Sequence, residues 1–320
     1  MSTDAHRSRP LRFGLTAALP RSGAQSREFA LRVEAAGIDV LTFADHLAPT
    51  VAPFTVAAAV AAVTSRLNVG TLVLNNDFRH PVETARETAS LATVSDGRFE
   101  LGIGAGHMKS EYDAAGIPFD DGATRVSRLV EAVTVIRTLL DGEPIDLRGD
   151  HYRVRAGAGE IVATPPHRVP ILVGGNGTRV LELAGRVADI AGFAGINHNR
   201  DATRVRLSHF DGPGLADRIA VVRNAAGERF PEIELNALIQ AVVVTDDRAA
   251  AAADLGETLG ADPAVLLNSP FMLVGTHEQM AEQLLARRQE FGVSYWTVFD
   301  EWAGRRSALP DIAEVIALLR

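Results

Sequence analysis

The sequence predicts an α/β protein, a single (β/α)8 TIM barrel that takes in residues 1–320, with insertions at its rim. Segments with the periodicity of strands and of helices alternate about eight times, and the strand segments are almost continuously apolar. Such strands are typical of parallel sheets that are covered on both faces. Eight strand–helix units favour a closed barrel, because a doubly wound open sheet usually has fewer strands. No change in composition marks a linker between domains.

The predicted strands are short, mainly apolar runs, and most of them stop at polar residues or glycine. Leu67–Leu74, for example, ends in Asn75-Asn76-Asp77, three short polar side chains that disfavour the interior of a strand. In chain order the predicted strands are Arg12–Ala17, Val40–Ala44, Leu67–Leu74, Arg98–Ile103, Val169–Val173, Asp189–Ala194, Leu235–Val244 and Tyr295–Phe299.

The helices are predicted from apolar residues at helical spacing and from residues that begin or end helices. Gly37 ends the first helix, while Pro53 and Pro81 stand in first turns, where a missing N–H costs nothing. The predicted helices are Ser26–Ala36, Pro53–Thr64, Pro81–Val94, Ala123–Leu140, Thr178–Val187, Leu215–Arg229, Arg248–Leu259, Glu278–Phe291 and a terminal helix from Asp311.

Two segments are expected to be insertions at the rim of the barrel, at about residues 141–166 and 197–215. The first contains Ile145–Val154, which is interrupted by Gly149-Asp150 and therefore predicts a hairpin. We expect both insertions to shape the pocket, but their composition does not identify a substrate.

Composition excludes several classes of protein. The formal charge of −8 argues against a nucleic-acid partner, since such proteins usually carry a basic face. The chain has no cysteine, which excludes disulfides, thiolate nucleophiles and cysteine metal sites. The polar N-terminus and the absence of an apolar run long enough to cross a bilayer predict a cytoplasmic protein without a membrane partner.

Polar or glycine-rich residues follow several of the predicted strands. They are Asp45-His46, Asn75-Asn76-Asp77, Gly104-Ala105-Gly106-His107 and Gly174-Gly175-Asn176-Gly177. Because the carboxyl ends of the strands meet at one face of such a barrel, we expect these segments to form the functional site.

The segment Gly174-Gly175-Asn176-Gly177 lies between a predicted strand and a predicted helix. Glycine lets the backbone approach a ligand, and the free N–H groups at a helix start favour an anion, which indicates a phosphate site. The same residues are also compatible with a tight turn that needs glycine only for its dihedral angles.

His46 and His107 are candidate proton-transfer groups, because imidazole titrates near neutrality. They leave nearby strands at the same rim and could face each other across a pocket, although a lone histidine is often structural. The histidines lack the spacing of metal ligands, so no metal site is predicted. A serine nucleophile is equally unsupported, because the chain has no Gly-x-Ser-x-Gly motif.

Four stretches resemble a known family: FADHL at Phe43–Leu47, VLNNDFRHP at Val73–Pro81, DGRFELGIGAGHMKSEYDAAGIPFD at Asp96–Asp120 and VPILVGGNGTRVLELAGRVAD at Val169–Asp189. They resemble the luciferase-like flavin-dependent barrel superfamily and are most similar to its branch that uses the deazaflavin coenzyme F420. The resemblance implies one barrel that often dimerises, with the cofactor ring at the carboxyl ends of the strands.

The resemblance also implies roles for individual residues. It places a non-proline cis peptide at Leu72-Val73, in a bulge behind the cofactor ring, and His46 near the reactive carbon as a proton donor. Cofactor contacts are expected from Asp45, Asn75, Asn76, Ala105 and Gly106, and phosphate contacts from Gly174, Gly175, Asn176 and Gly177. Sugar-phosphate dehydrogenases of this branch have a glutamate where this chain has His107, and they hold the substrate phosphate partly with lysines. Lys109 is the only lysine here, so a different substrate is expected.

Three functions are compatible with this resemblance. The first is an oxidoreductase that moves a hydride between reduced coenzyme F420 and a small organic acceptor with an activated C=C, C=N or carbonyl group. The alternative is an FMN-dependent monooxygenase that uses reduced FMN and oxygen, and the third is a non-catalytic flavin-binding homologue. The asparagine-rich third strand favours the first, and the two histidines at the strand ends argue against the third.

Overall fold

Eight parallel strands close into a barrel in the computed structural model, which describes residues 4–17, 22–198, 205–301 and 306–320. Neighbours around the barrel follow chain order, and the eighth strand pairs with the first. The strands are Arg12–Thr16 (β1), Val40–Phe43 (β2), Asn68–Thr71 (β3), Phe99–Gly104 (β4), Ile171–Gly174 (β5), Ile190–Phe193 (β6), Glu234–Ile239 (β7) and Tyr295–Phe299 (β8). The predicted (β/α)8 barrel is confirmed.

Helices lie between the strands and around the outside of the barrel. They are Asp4–Ser8 (α1), Gly23–Ala35 (α2), Pro53–Ala61 (α3), Pro81–Val94 (α4), Lys109–Ala115 (α5), Gly122–Leu140 (α6), Thr178–Val187 (α7), Gly212–Ala226 (α8), Arg248–Leu259 (α9), Pro263–Leu267 (α10), His277–Phe291 (α11) and Leu309–Leu319 (α12). The short helices α1, α5 and α10 were not predicted. In the described ranges no helix is long and apolar enough to cross a membrane.

Two predicted strands differ from those in the structure. The run Leu67–Leu74 is interrupted after Thr71, and Leu74–Asn75 forms a separate short strand beside β4. The prediction of a single strand at Leu235–Val244 is wrong, because its second half, Ala241–Val244, pairs outside the barrel with Met272–Gly275. Both halves are apolar, so only their pairing partners distinguish them.

Both predicted insertions contain antiparallel strands. Ile145–Arg148 pairs with Arg153–Ala156, so the predicted hairpin is confirmed. In the second insertion Ile196–His198 pairs with Val205–Leu207, while residues 199–204 of this segment lie outside the described residues.

Alternation along the strands creates two apolar cores. Val40 of β2 packs inside the barrel with Leu172, Ile190 and Tyr295, whereas its neighbour Leu41 joins the larger core under the helices. Successive side chains of a strand point to opposite faces, so one strand serves both cores.

Charged side chains fill the amino-terminal end of the barrel. Arg12 of β1 forms ion pairs with Glu100 of β4 and Glu234 of β7, and its guanidinium lies 4.5 Å from the ring centre of Tyr295. These residues link strands on opposite sides of the barrel and leave the carboxyl end for other chemistry.

Glu131 of α6 anchors the hairpin insertion. Its carboxylate accepts hydrogen bonds from the backbone N–H groups of Asp150, His151 and Tyr152, at 2.8, 3.0 and 3.0 Å. Burial raises the pKa of Glu131, but the three hydrogen bonds outweigh this effect and lower the pKa below its ordinary value of 4.5. The turn of the hairpin is therefore held to α6 by an ionised carboxylate.

We expect Glu131→Gln to lower the free energy of unfolding by about 1 kcal/mol at neutral pH, because a partly solvated acceptor of three N–H groups loses its charge. The folded-state pKa is depressed, so this contribution is present above pH 4.5 and is lost as the pH falls through the folded-state value. Urea unfolding at neutral and acidic pH measures the difference. An equal difference in unfolding free energy between wild type and variant at both pH values would contradict this assignment. The matched comparison is Glu34→Gln, because the Glu34 carboxylate accepts from the three backbone N–H groups of residues 65–67 in the same way.

Candidate active site

Asp45 connects the end of β2 to the loop that follows β3. Its side chain, in a residue only 6% exposed, accepts a hydrogen bond from the backbone N–H of Asn75 at 3.0 Å. Both terminal nitrogens of Arg79 donate to the same carboxylate, at 2.5 and 3.0 Å. Asp45 thus fixes the start of the Asn75–Asp77 segment, while its predicted contact with a cofactor stays a prediction.

The peptide bond between Leu72 and Val73 is cis, at the position that the resemblance implies. Val73 projects over the inner faces of β4 and β5. A Cβ atom on Gly104 would lie 2.9 Å from Val73 Cγ2, and one on Gly174 would lie 3.3 Å from Val73 Cγ1. Glycine in β4 therefore makes room for this bulge, which gives the glycine-rich strand a packing role in addition to any contact with a ligand.

The amide of Asn75 is held in one orientation. Its Oδ1 accepts hydrogen bonds from the hydroxyl of Tyr112 at 2.9 Å and from the backbone N–H of Asp77 at 3.1 Å. Burial raises the pKa of Tyr112 well above its ordinary value, and the nearby Asp77 carboxylate raises it further, so the hydroxyl stays protonated and donates. Within the described ranges Asn75 Nδ2 has no partner, so the amide offers its two N–H donors to a ligand.

Gly106 brings the chain directly against this amide. Its φ is +75°, and a Cβ atom there would lie 2.0 Å from the Tyr112 hydroxyl and 2.5 Å from Asn75 Oδ1. Both the backbone conformation and the space therefore require glycine. The backbone of Ala105 and Gly106 is thereby placed at the rim beside Asn75.

His46 and His107 lie together, as their positions after nearby strands at the same rim predict. Their ring centres are 5.7 Å apart and the rings meet edge to face at 86°. Nδ1 of His46 is 2.8 Å from Oε1 of Glu111, whose side chain is 9% exposed compared with 35% for His46. The buried carboxylate occupies Nδ1, so Nε2 is the nitrogen that His46 can present to a substrate.

The side chain of Asn76 points toward the hairpin insertion, while the carboxylate of Asp77 contacts both Arg128 of α6 and the hydroxyl of Tyr112. Nδ2 of Asn76 lies 3.4 Å from the Tyr152 hydroxyl and 3.4 Å from Oδ1 of Asp77. Asp77 forms an ion pair with Arg128 at 3.0 Å. The Asn76 amide thus donates to two protein groups. Its predicted contact with a cofactor stays a prediction.

The glycine-rich segment Gly174–Gly177 leads into α7. Gly177 is the N-cap of this helix and provides no side-chain cap, and the first turn contains no acidic residue. Asn176 directs its amide to the carbonyl of Ile196 at 2.6 Å, away from the helix start. Arg218 of α8 approaches from the side and donates to Oγ1 of Thr178 at 3.2 Å. Uncapped N–H groups beside a guanidinium suit an anion.

Two residues that contact the candidate site were missed by the sequence analysis. Glu111 and Tyr112 are consecutive in α5 and bond to His46 and Asn75. Helix α5 has only seven residues, too few for a periodic pattern. Their sole signal in the sequence was their place in the stretch Asp96–Asp120 that carries the family resemblance. In the described part of the chain, no three His, Asp or Glu side chains are grouped to hold a metal ion.

We expect Asp45→Asn to lower the free energy of unfolding by about 3 kcal/mol, because the substitution leaves the guanidinium of Arg79 without its buried partner. Chemical denaturation at neutral pH measures this loss. The matched control is Asp113→Asn, which breaks an exposed pair with Lys109 in α5 and should change stability far less. Similar losses in the two variants would contradict the structural role of Asp45.

Comparison with known proteins gives one family and several relatives. The family model for luciferase-like monooxygenases matches residues 11–264. The F420-dependent glucose-6-phosphate dehydrogenase of Microbacterium testaceum is 34% identical over 191 residues, which cover 56% of this chain and 55% of that protein. This chain therefore spans about half the length of the curated relatives that it matches.

Solved structures show the same fold at low sequence identity. The coenzyme F420 dependent tetrahydromethanopterin reductase from Methanopyrus kandleri has a TM-score of 0.75 and 18% identity, covering 98% of this chain and 100% of that chain. A long-chain alkane monooxygenase has a TM-score of 0.74 and 15% identity, covering 98% of this chain and 91% of that chain. The family model, matched over most of the chain and joined by this closed barrel, shows that the protein belongs to the luciferase-like monooxygenase family.

Proposed function

We propose that the protein is an oxidoreductase that transfers a hydride between reduced coenzyme F420 and a small organic acceptor with an activated C=C, C=N or carbonyl group. The observation that carries this proposal is that His46 and Asn75 are both held by consecutive residues of α5, Glu111 and Tyr112. A proton-transfer group with Nε2 available stands at the same rim as a fixed amide with two unused N–H donors. Relatives named F420-dependent glucose-6-phosphate dehydrogenases support the choice of cofactor.

The residues present fit both the ring and the phosphate of the deazaflavin coenzyme. Asn75 Nδ2 would donate to the polar edge of the ring, and the backbone of Ala105 and Gly106 and the side chain of Val73 would help to hold the ring. The uncapped start of α7, with Arg218 next to it, suits the phosphate. When bound there, the deazaflavin would donate or accept the hydride, and the protein would orient it and control access.

His46 supplies or removes the proton in this proposal, because its Nε2 faces away from Glu111. The ring of His107 is close enough to contact the same substrate. A sugar phosphate is not the proposed acceptor, although the curated relatives named above are glucose-6-phosphate dehydrogenases. The single lysine, Lys109, is paired with Asp113. The family resemblance also implies that His107 stands where sugar-phosphate dehydrogenases of the deazaflavin branch carry a glutamate.

An FMN-dependent monooxygenase is the second candidate. The family model is that of luciferase-like monooxygenases, and a long-chain alkane monooxygenase shares the fold. The phosphate site at α7 would serve FMN as well as coenzyme F420. The asparagine-rich end of the third strand, with the fixed amide of Asn75, resembles the deazaflavin branch and favours the first proposal.

We also propose a cytoplasmic homodimer. An open groove between α2 and α3 is lined mainly by apolar side chains, including Val51, Val56 and Val60, and the exposed Leu47 lies nearby in the chain. A second copy of the chain would cover this groove. Sedimentation at a concentration of about 10 µM tests this assembly, and a purely monomeric species would contradict it.

Fluorescence titration with coenzyme F420 and with FMN, side by side, tests the choice of cofactor. We expect quenching of the deazaflavin at micromolar concentrations and weaker binding of FMN. Asn75→Leu should weaken the binding of the deazaflavin by about tenfold, because a ring acceptor loses its donor. Tight binding of FMN without any binding of the deazaflavin would overturn the main proposal in favour of the monooxygenase.

His46→Asn should lower kcat by about 10²- to 10⁴-fold with the reduced deazaflavin and an accepted substrate, because general acid–base catalysis is lost. His277→Asn is the matched control, since His277 lies on α11 and pairs with Asp311. Unchanged turnover after substitution of both His46 and His107 would contradict their role in proton transfer. Binding of the cofactor without turnover of any acceptor by the wild type would favour a non-catalytic homologue.

A further inference from the structure

We propose that Glu111 is a positioning residue that keeps a hydrogen on Nδ1 of His46 and so makes Nε2 the nitrogen that exchanges a proton with the substrate. This inference rests on the proposed function, in which His46 transfers that proton. Oε1 of Glu111 lies 2.8 Å from Nδ1, and the carboxylate is the more buried partner, 9% exposed compared with 35% for the imidazole.

Helix α5 gives this carboxylate a fixed position. The backbone N–H of Glu111 donates to the carbonyl of Met108 at 3.0 Å, at the start of the helix. The next residue, Tyr112, is fully buried and donates to Oδ1 of Asn75. Consecutive side chains of a helix diverge by about 100°, so one turn can hold His46 at the end of β2 and Asn75 after β3. One turn of α5 therefore fixes the positions of both the His46 imidazole and the Asn75 amide.

The other charged groups near His46 have partners of their own. Asp45 precedes it in the chain, but its carboxylate is bonded to Arg79 and to the backbone of Asn75. Lys109 of α5 pairs with Asp113. The other imidazole beside it is that of His107, at a ring distance of 5.7 Å. In the described part of the chain, Glu111 is thus the carboxylate that acts directly on Nδ1.

A carboxylate accepts hydrogen bonds but cannot donate them when ionised. The tautomer with its hydrogen on Nε2 would direct the lone pair of Nδ1 at Glu111, which is repulsive, so the Nδ1–H tautomer is favoured. In the reducing direction His46 would start as the doubly protonated imidazolium, with hydrogen on both Nδ1 and Nε2. The bound cofactor would supply the hydride, and the acceptor would take its proton from Nε2. The Nε2–H bond breaks, its electron pair stays on Nε2, and the neutral ring keeps its Nδ1–H bond to Glu111. The reverse reaction returns the proton to Nε2.

The tautomer can be measured on the protein without cofactor or substrate. Proton–nitrogen correlation spectra of protein with ¹⁵N-labelled histidine, at a pH where His46 is neutral, distinguish hydrogen on Nδ1 from hydrogen on Nε2. The chain has 9 histidines, and the His46→Asn variant assigns the signal. We expect the Nδ1–H form in the wild type. A wild-type His46 with its hydrogen on Nε2 would overturn the inference, whether or not the protein uses coenzyme F420.

Substitution of Glu111 gives the matched comparison. Glu111→Gln keeps the shape, but its amide can turn to donate to Nδ1, so we expect a mixture of tautomers. Glu111→Asp keeps the charge and should restore part of the Nδ1–H signal. Asp113→Asn, in the same helix but paired with Lys109, should leave the spectrum of His46 unchanged. A spectrum of Glu111→Gln identical to that of the wild type would contradict the proposed role.

Kinetics separate positioning from binding. With the holoenzyme, Glu111→Gln should lower kcat by about 10- to 100-fold and change KM little. The loss is smaller than the full contribution of acid–base catalysis because His46 itself is still present. The limb of the pH–rate profile that reports His46 should move, because the charge facing the imidazole is gone. A loss of kcat no larger than that of Asp113→Asn would overturn the inference. If the wild type itself does not turn over the deazaflavin, the proposed function fails while the tautomer measurement still decides the role of Glu111.

Discussion

The buried carboxylate of Asp45 is the constraint on which the candidate site depends. It sits at the end of β2 and holds both the backbone of Asn75 and the guanidinium of Arg79. His46 follows it directly in the chain, so the same interaction that anchors the loop after β3 also fixes where the imidazole begins. Two neighbouring strand ends are thereby held in register beyond the last hydrogen bonds of the barrel.

Helix α5 connects Asn75 back to His46, the residue next to Asp45. Asn75 accepts from Tyr112, the neighbouring Glu111 bonds to His46, and His46 is attached to Asp45. A closed series of buried hydrogen bonds is cooperative, because each bond restricts the geometry available to the next. Rotation of the Asn75 amide, for example, would turn its NH₂ group toward the backbone N–H of Asp77 and leave that donor without its acceptor. The site therefore keeps one arrangement of donors and acceptors.

The two ends of the barrel use charge differently. At the amino end Arg12 links Glu100 and Glu234, and these three groups satisfy one another. Buried ion pairs of this kind contribute little net stability, because desolvation offsets their attraction. At the carboxyl end, Asn75 Nδ2, the start of α7 and His46 Nε2 keep hydrogen-bonding capacity for a ligand. The glycines of β4 and β5 add the space that a projecting Val73 requires.

The sequence by itself determined the barrel and the strand ends at which chemistry is expected. Periodicity and glycine or proline at helix ends are local properties, so alternating units such as Val40–Ala44 followed by Pro53–Thr64 could be read directly from the chain. The family resemblance added the cis position at Leu72-Val73, which the structure contains. The local pattern did not predict that the apolar run at Val242 pairs with a strand outside the barrel. It also missed α5, because a helix of seven residues is too short to show a periodic pattern.

Only the tertiary structure decided how the side chains of the candidate residues are oriented and which groups they contact. Asn75 and Asn76 are adjacent and chemically identical, yet the hydroxyl of Tyr112 orients one and the hydroxyl of Tyr152 holds the other. His46 and Glu111 are separated by 65 positions and meet only because β2 and the segment after β4 end at the same rim. Side-chain orientation depends on partners that are distant in the chain, and a pattern of neighbouring residues carries no information about them.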